Sequence, residues 1–410
     1  MTQIRAFRPY VVAPQHATAV VSPAYDSMSP AQRCIFCETH PKNYINTMQV
    51  ADDFPTGERP TEAKVLEGNV QHLQVMLENG SYRNSDTDAV FIYQLSIDGH
   101  TQTGVVAEIP LGEYENGSIR RHEETRKEHE ERLSRYLDIV GASSSPICLA
   151  YVGSAQIDAI VESVTQGDPV LDFVLPDGVC QRLWRVTDTS QYDGLCQAFS
   201  GIDATYLTDG HHRAASALRH AVSRRATDKT GGPWDYLLVA LFPADQLRVL
   251  AFNRCVRDLG GRTPTDLLTE LEKDFVVEPV GDDRAAEFPA QHGQFLMLLD
   301  GQTILLTLRR PALDKSPLRN LDVSILQARI LEPLLGISDV RGDPRLDYVT
   351  GDSGLEGLQA RCNEGWQLGF ACFPTSLAEL MAVADASEVM PPKSTCFDPK
   401  TRSGIFVRMS

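Results

Sequence analysis

A chain of 410 residues is too long for a disulfide-stapled miniprotein, and at roughly 150 residues per domain it has room for two or three packed units. Its 42% hydrophobic and 23% charged residues are ordinary globular usage, which excludes a collagenous or wholly disordered chain. Against 38 Lys and Arg stand 55 Asp and Glu, and the net charge of −17 repels nucleic-acid backbones and anionic lipid, so an anionic ligand needs a local cationic pocket.

The first ten residues lack the continuous apolar run of a secretory signal, and no window approaches the ~18 apolar residues of a membrane span. The expectation is a cytoplasmic protein with neither a membrane nor a nucleic-acid partner. Its 9 cysteines are an odd number, mostly inside apolar segments, and read as reduced thiols. Cys34 and Cys37 form a C-x-x-C pair, but no second such pair completes a zinc site, so they read as two cysteines on a short helix after Pro30.

Ile4 to Val21 reads as extended segments leading to a turn at Ser22-Pro23-Ala24-Tyr25-Asp26. The spacing of Val65, Leu66, Val70, Leu73 and Leu77 predicts a helix over 62–79, stopped at Gly80. Residues 89–95 and 102–109 read as strands joined by the Asp98-Gly99 turn. A charged helix is predicted over 120–140, with Glu123/Lys127, Glu128/Arg132 and Glu131/Arg135 in the favourable acid-before-base order. Its inner stripe, His122, Thr125, His129, Leu133, Tyr136 and Val140, starts polar and turns apolar, so its amino half points at something polar. Paired strands follow at 171–177 and 181–187, then a strand at 204–208 that runs through Asp209-Gly210-His211-His212-Arg213 into an alanine-rich helix. Strands at 236–242 and 249–256, a helix at 263–274, a hairpin at 295–308 and a helix at 322–335 complete the pattern, and the Pro-rich 390–395 is a loop. The fold class is α/β or α+β with a mixed sheet. Soft divisions separate 1–170, a core at 171–310 and a carboxyl-terminal region at 311–410, expected to build one composite site.

The strand-Asp-Gly-His-His-Arg-helix unit is the strongest signal for chemistry. A Gly turn before a helix leaves unpaired N–H groups at the positive end of the helix dipole, which suits phosphate or carboxylate. Gly210 lets an anion approach the backbone, His211 and His212 add donors, and Arg213 offers a fork for oxygens. Asp209 would stand at the carboxyl end of its strand, where α/β proteins place ligands. Zinc at the His211-His212 pair has little support, because adjacent histidines generally diverge and no H-E-x-x-H occurs. A second candidate is Arg121-His122-Glu123-Glu124-Thr125-Arg126, with His122 and Thr125 facing a pocket and Glu123 supplying a carboxylate for a metal or a proton. A solvated helix start is the equal alternative. Lys393 with Ser394 and Thr395 is a weaker third. Neither a Walker-type loop nor a dinucleotide fingerprint is present.

Taken together, Ile4-Arg5-Ala6-Phe7-Arg8-Pro9, the 22–26 turn, Tyr114-Glu115 with Arg121-His122-Glu123-Glu124-Thr125, Leu183-Trp184-Arg185-Val186, Asp209-Gly210-His211-His212-Arg213, Asn253-Arg254 and Met390-Pro391-Pro392-Lys393-Ser394-Thr395 with Phe397, Pro399 and Lys400 resemble the bacterial family known as domain of unknown function 1015. Cys396 and Ala24 stand where that family more often has an aromatic and a second proline. The Asp209–Arg213 segment also resembles the phosphate-binding motif of the ParB and sulfiredoxin-like superfamily, whose members include CTP-binding partition proteins, sulfiredoxins and kinases of free serine. The motif here lacks a sulfiredoxin cysteine, and the charge speaks against DNA partition.

That resemblance implies a kinase using ATP or ADP with Mg²⁺ to phosphorylate free L-serine or a similar hydroxy amino acid. Asp209, His211, His212 and Glu123 would be catalytic, with Asp209 and Glu123 also holding the metal. Gly210, Arg213, Arg254, Lys393 and Ser394 would bind the nucleotide phosphates, and Arg121, His122 and Thr125 the substrate. The rival reading is a nucleotide-binding regulator without transfer chemistry. The oligomeric state stays open, a homodimer among the options.

Overall fold

A computed structural model describes residues 1–281, 284–287, 289–310 and 314–410. They form two compact units, Met1–Leu247 with Pro399–Ser410, and Arg248–Asp398. The divisions expected at 170/171 and 310/311 fall inside the first and second unit, and residues 311–313, which open the expected third segment, lie outside the described residues.

The first unit is built on an eight-stranded mixed sheet. Its strands are β1 (Phe91–Ile97), β2 (His100–Pro110), β3 (Ile119–Arg120), β4 (Ile147–Tyr151), β5 (Leu171–Val174), β6 (Cys180–Arg185), β7 (Thr205–Asp209) and β8 (Tyr236–Pro243), in the order β3-β7-β4-β8-β2-β1-β6-β5. Pairing is parallel for β3 with β7 and for β4 with β8, and antiparallel elsewhere. β8 shows why it lies inside: Leu237, Val239 and Leu241 join the core on one face, Leu238, Ala240 and Phe242 the core on the other. A strand covered on both faces reads as a continuous apolar run, as this one does. Helices Ala155–Thr165, Thr189–Ser200 and α2 (His211–Thr227) contribute to the first of these cores, and Glu62–Glu78 to the other. The charged helix, α1, spans Lys127–Val140 and ends on Gly141 at φ 67. A smaller antiparallel sheet brings the chain's two ends together, in the order Tyr82–Asn84, Tyr10–Val12, Phe406–Met409, Ala142–Ser143.

At Gly104 of β2 an added Cβ would lie 2.5 Å from the Leu241 carbonyl oxygen and 2.7 Å from the Phe242 ring. Backbone on one side and a buried ring on the other leave little room to yield. Gly104→Ala is expected to cost about 1–3 kcal/mol, read as a lower urea midpoint.

The second unit carries a six-stranded antiparallel sheet in the order Phe275–Pro279, Gln302–Leu308, Gln294–Leu299, Leu368–Cys372, Phe252–Val256, Leu346–Thr350. The strand expected over 249–256 is broken at Ala251: Val249–Leu250 pairs with Cys396–Phe397, while Phe252–Val256 enters the larger sheet. The helix expected over 322–335 contains a π turn at Gln327–Leu331, just before Pro333, which has no N–H for a regular turn. At its start, buried Asp322 accepts from the Gly293 N–H at 2.9 Å and lies 3.4 Å from His292 Nε2. Burial pushes its carboxyl up to about 6, against the pull of His292. A carboxyl raised in the fold ionises first in the unfolded chain, so its contribution to stability is lost as pH rises from about 4 through about 6. Asp322→Asn is therefore expected to gain about 1–2 kcal/mol on wild type at pH 7 and nothing at pH 4, measured by urea unfolding at both.

Candidate functional site

The Asp-Gly-His-His-Arg segment forms the strand-turn-helix that its residues predict. β7 ends in a bulge, since Leu207 pairs with Leu149 but Asp209 with Cys148. Thr208 is the extra residue, and its hydroxyl donates to the Cys148 carbonyl at 3.1 Å. Bulges re-aim the side chains around them, here Asp209 at the strand end. Gly210 then takes φ 97 and ψ 27 as the residue before α2, a left-handed conformation that glycine adopts without strain. It has a second requirement: an added Cβ would come within 3.1 Å of the Arg213 guanidinium carbon. No side chain caps α2. Its first N–H groups thus have no side-chain acceptor, an arrangement that suits an anion.

Two cations neutralise Asp209. Arg213 bonds it from the next turn, and Lys400 Nζ lies 3.6 Å from its other oxygen. Burial alone would raise this carboxyl, but Lys400, Arg213 and His211 hold it below the usual carboxylate range. Arg213 also donates to the carbonyls of Ser145 at 2.9 Å and Pro146 at 2.7 Å. Three of its five N–H groups thus serve protein acceptors. Thr401, beside Lys400, meets the buried Cys148 thiol at 3.3 Å, and the Asp209 charge adds to burial in pushing that thiol up to about 11.

The two histidines of the motif diverge. His212 accepts from the Arg126 N–H at 3.1 Å, and its ring lies 5.1 Å from that of His129. His211 turns inward, edge-on to His122 with ring centroids 4.6 Å apart, and its Nδ1 stands 3.8 Å from Glu123 Oε2. Burial lowers His122 to about 4, the Leu207 backbone pushing weakly the other way. His211 is driven well below the ordinary value by burial and by its neighbour His122, with Asp209 opposing. Both rings are therefore neutral near pH 7.

Residues 121–126 are not the helix start that their charge pattern predicts. Ile119–Arg120 is drawn into the sheet as a parallel partner of β7, and the helix begins only at Lys127. The stripe through His122 and Thr125 is consequently not helical, yet His122 and Glu123 still meet His211. Thr125 bonds Glu130 instead, and Arg121 sits over the Tyr114 ring at 5.0 Å with its side chain at the surface. Arg254, Lys393 and Ser394 come together in the second unit. Buried Arg254 donates to the carbonyls of Phe252 and Lys393, Lys393 takes φ 59 with its ammonium 5.1 Å from the Phe252 ring centre, and Ser394 donates to Pro391 at 2.6 Å. Lys400 and Thr401 carry no local sequence signal for chemistry, and Lys400 belongs only to the set of residues that carries the family resemblance. A cavity of about 610 Å³ elsewhere in the first unit, lined by Arg5, Arg8, Glu108, Asp188, Tyr192 and Arg408 among others, shares no residue with the Asp209 cluster.

No helix among the described residues is long and apolar enough to cross a membrane. No curated protein matches the sequence. Among solved structures, a mutant free serine kinase in complex with ADP is similar over 73% of this chain and 92% of its own, at 14% identity and a TM-score of 0.38. A conserved hypothetical protein from Pyrococcus furiosus is similar over 74% and 95%, at 11% identity and a TM-score of 0.37. SbnI with a carboxyl-terminal truncation, from Staphylococcus aureus, is similar over 74% and 86%, at 11% identity and a TM-score of 0.39. The family described as "Protein of unknown function (DUF1015)" matches residues 4–324, and the chain belongs to that family.

Proposed function

We propose that the protein is a cytoplasmic, nucleotide-dependent phosphotransferase that moves a phosphoryl group from ATP or ADP to the hydroxyl of a free small amino acid, with L-serine as the acceptor. The observation that carries this reading is the uncapped start of α2 behind Gly210, set beside Asp209, Lys400, Arg213 and the His122–Glu123–His211 group. The motif's resemblance to the ParB and sulfiredoxin-like phosphate-binding segment supports it. In an acidic molecule, a local pair of cations at a helix start favours an anion.

The residues fit phosphates through the first N–H groups of α2, the charge of Lys400 and the two N–H groups that Arg213 has left. Mg²⁺ would be held with the phosphates by the carboxylates of Asp209 and Glu123, of which Asp209 already shares its charge with Lys400 and Arg213. Bound Mg²⁺ would neutralise phosphate charge. Phosphoryl transfer is mostly positioning and charge neutralisation, so the Gly210 turn would orient the terminal phosphate for in-line attack. The acceptor oxygen bonds phosphorus, the bond to the nucleotide breaks, and Glu123 takes the hydroxyl proton.

The test is to incubate the full chain with ATP or ADP, Mg²⁺ and a panel of amino acids, and to search for phosphoamino acid by mass spectrometry. Phosphoserine is expected. Nucleotide binding without any phosphoamino acid would overturn the reading in favour of a regulator.

A further inference from the structure

His122 and His211 are 1% and 5% exposed. Nε2 of His211 is buried without a hydrogen-bond partner, and neither ring nitrogen of His122 has one at good geometry, the Leu207 backbone alone acting on that ring. Each buried polar atom left unsatisfied costs about 1–3 kcal/mol, and an edge-to-face ring contact satisfies no nitrogen. One ligand atom from each of His122, Glu123 and His211 lies within 4.8 Å of the other two. Around a cation bound at about 2.0–2.2 Å, neighbouring donors stand roughly 3–3.5 Å apart. Only a modest inward movement is needed, and the Glu123 side chain, unlike the two buried imidazoles, reaches the surface.

We propose that His122, Glu123 and His211 form a binding site for a first-row transition cation of the Zn²⁺ class. The chemistry of the donors selects the ion: two imidazoles and one carboxylate suit Zn²⁺ and its neighbours, whereas Mg²⁺ prefers an all-oxygen octahedron. Three protein ligands leave a coordination position open, the pattern of sites that act on a bound molecule. The adjacent pair His211-His212 cannot chelate because it diverges; the second imidazole comes from His122, on a different segment. If Glu123 binds through one oxygen, its other oxygen remains for the proton of the transfer reaction. The site goes beyond the kinase reading and needs no nucleotide.

The experiment strips the full chain with a chelator and titrates it with Zn²⁺ against a chromogenic competitor, with Mg²⁺ in parallel. One equivalent of Zn²⁺ is expected to bind in preference to Mg²⁺. Affinity should fall at least about 100-fold in His211→Ala and Glu123→Gln, and stay unchanged in His129→Ala. Glu123→Gln alters a half-exposed side chain and keeps the test valid if the buried histidine variant fails to fold. Co²⁺ loaded into wild type should give the intense visible bands of a four- or five-coordinate site. Absence of stoichiometric Zn²⁺ binding, a preference for Mg²⁺, or binding unchanged in folded Glu123→Gln would overturn the proposal. Zn²⁺ bound without phosphoamino acid formation sustains this site and sinks the kinase reading; phosphoserine formed by a chain that binds no Zn²⁺ does the reverse.

Discussion

Asp209→Asn is expected to lower phosphoryl transfer at least about 100-fold while leaving nucleotide affinity unchanged or tighter. Asparagine keeps the size of the side chain, and Arg213 retains its bonds to the Ser145 and Pro146 carbonyls, so the Gly210 turn keeps its support. What disappears is one negative charge, which Lys400 and Arg213 hold ionised against the cost of burial. Losing it removes a negative charge from beside those two cations, a change that favours an anionic nucleotide. The proposed metal site on phosphate and the orientation of the hydroxyl are lost together. A purely structural role would instead lower thermal stability and raise KM. Steady-state kinetics, with thermal melts of both proteins, separates the two, and full turnover in the variant would refute the assignment.

Glu108→Ala is expected to be the most damaging of the substitutions considered for stability, at about 3–5 kcal/mol. Glu108 is 3% exposed on β2 and receives Arg408 on one oxygen and Arg5 on the other. Arg408, itself buried on the strand Phe406–Met409, also donates to the carbonyls of Pro233 and Tyr236. Arg5 lies over the Tyr236 ring at 3.3 Å. Removing the carboxylate strands the buried Arg408 charge, and that penalty is larger than the net worth of the pair when intact. The pair also fastens the two chain ends to the main sheet. Urea unfolding of wild type, Glu108→Ala and Glu108→Gln should give midpoints in falling order wild type, Gln, Ala. A loss below about 1 kcal/mol for alanine would show that Arg408 finds another partner.

The parts of this architecture that local chemistry decides are legible in the sequence. The Asp98-Gly99 hairpin, the helix at Glu62–Glu78 and the turn at Gly210 follow from periodicity and from glycine's access to positive φ. Pairing with distant strands is harder to read. Residues 121–126 carry a helix-compatible charge pattern, but β7 claims Ile119–Arg120, and the chain reaches α1 only at Lys127. Lys400 reaches Asp209 because Pro399–Ser410 returns to the first unit, a long-range event without a local signal. Likewise, nothing near His211 in sequence announces His122. The useful clue is chemical: a histidine at Arg121-His122-Glu123 with no apolar periodicity of its own needs a polar partner when buried.

Under the proposed function, the Gly210 turn and its surrounding charges transfer a phosphoryl group to a small hydroxy amino acid. Phosphorus NMR of the full chain with ATP or ADP, Mg²⁺ and L-serine follows donor and product in one sample. Loss of the terminal nucleotide resonance matched by a growing phosphoserine resonance, absent in Asp209→Asn, is the predicted result. An unchanged nucleotide spectrum, or release of inorganic phosphate alone, would contradict it.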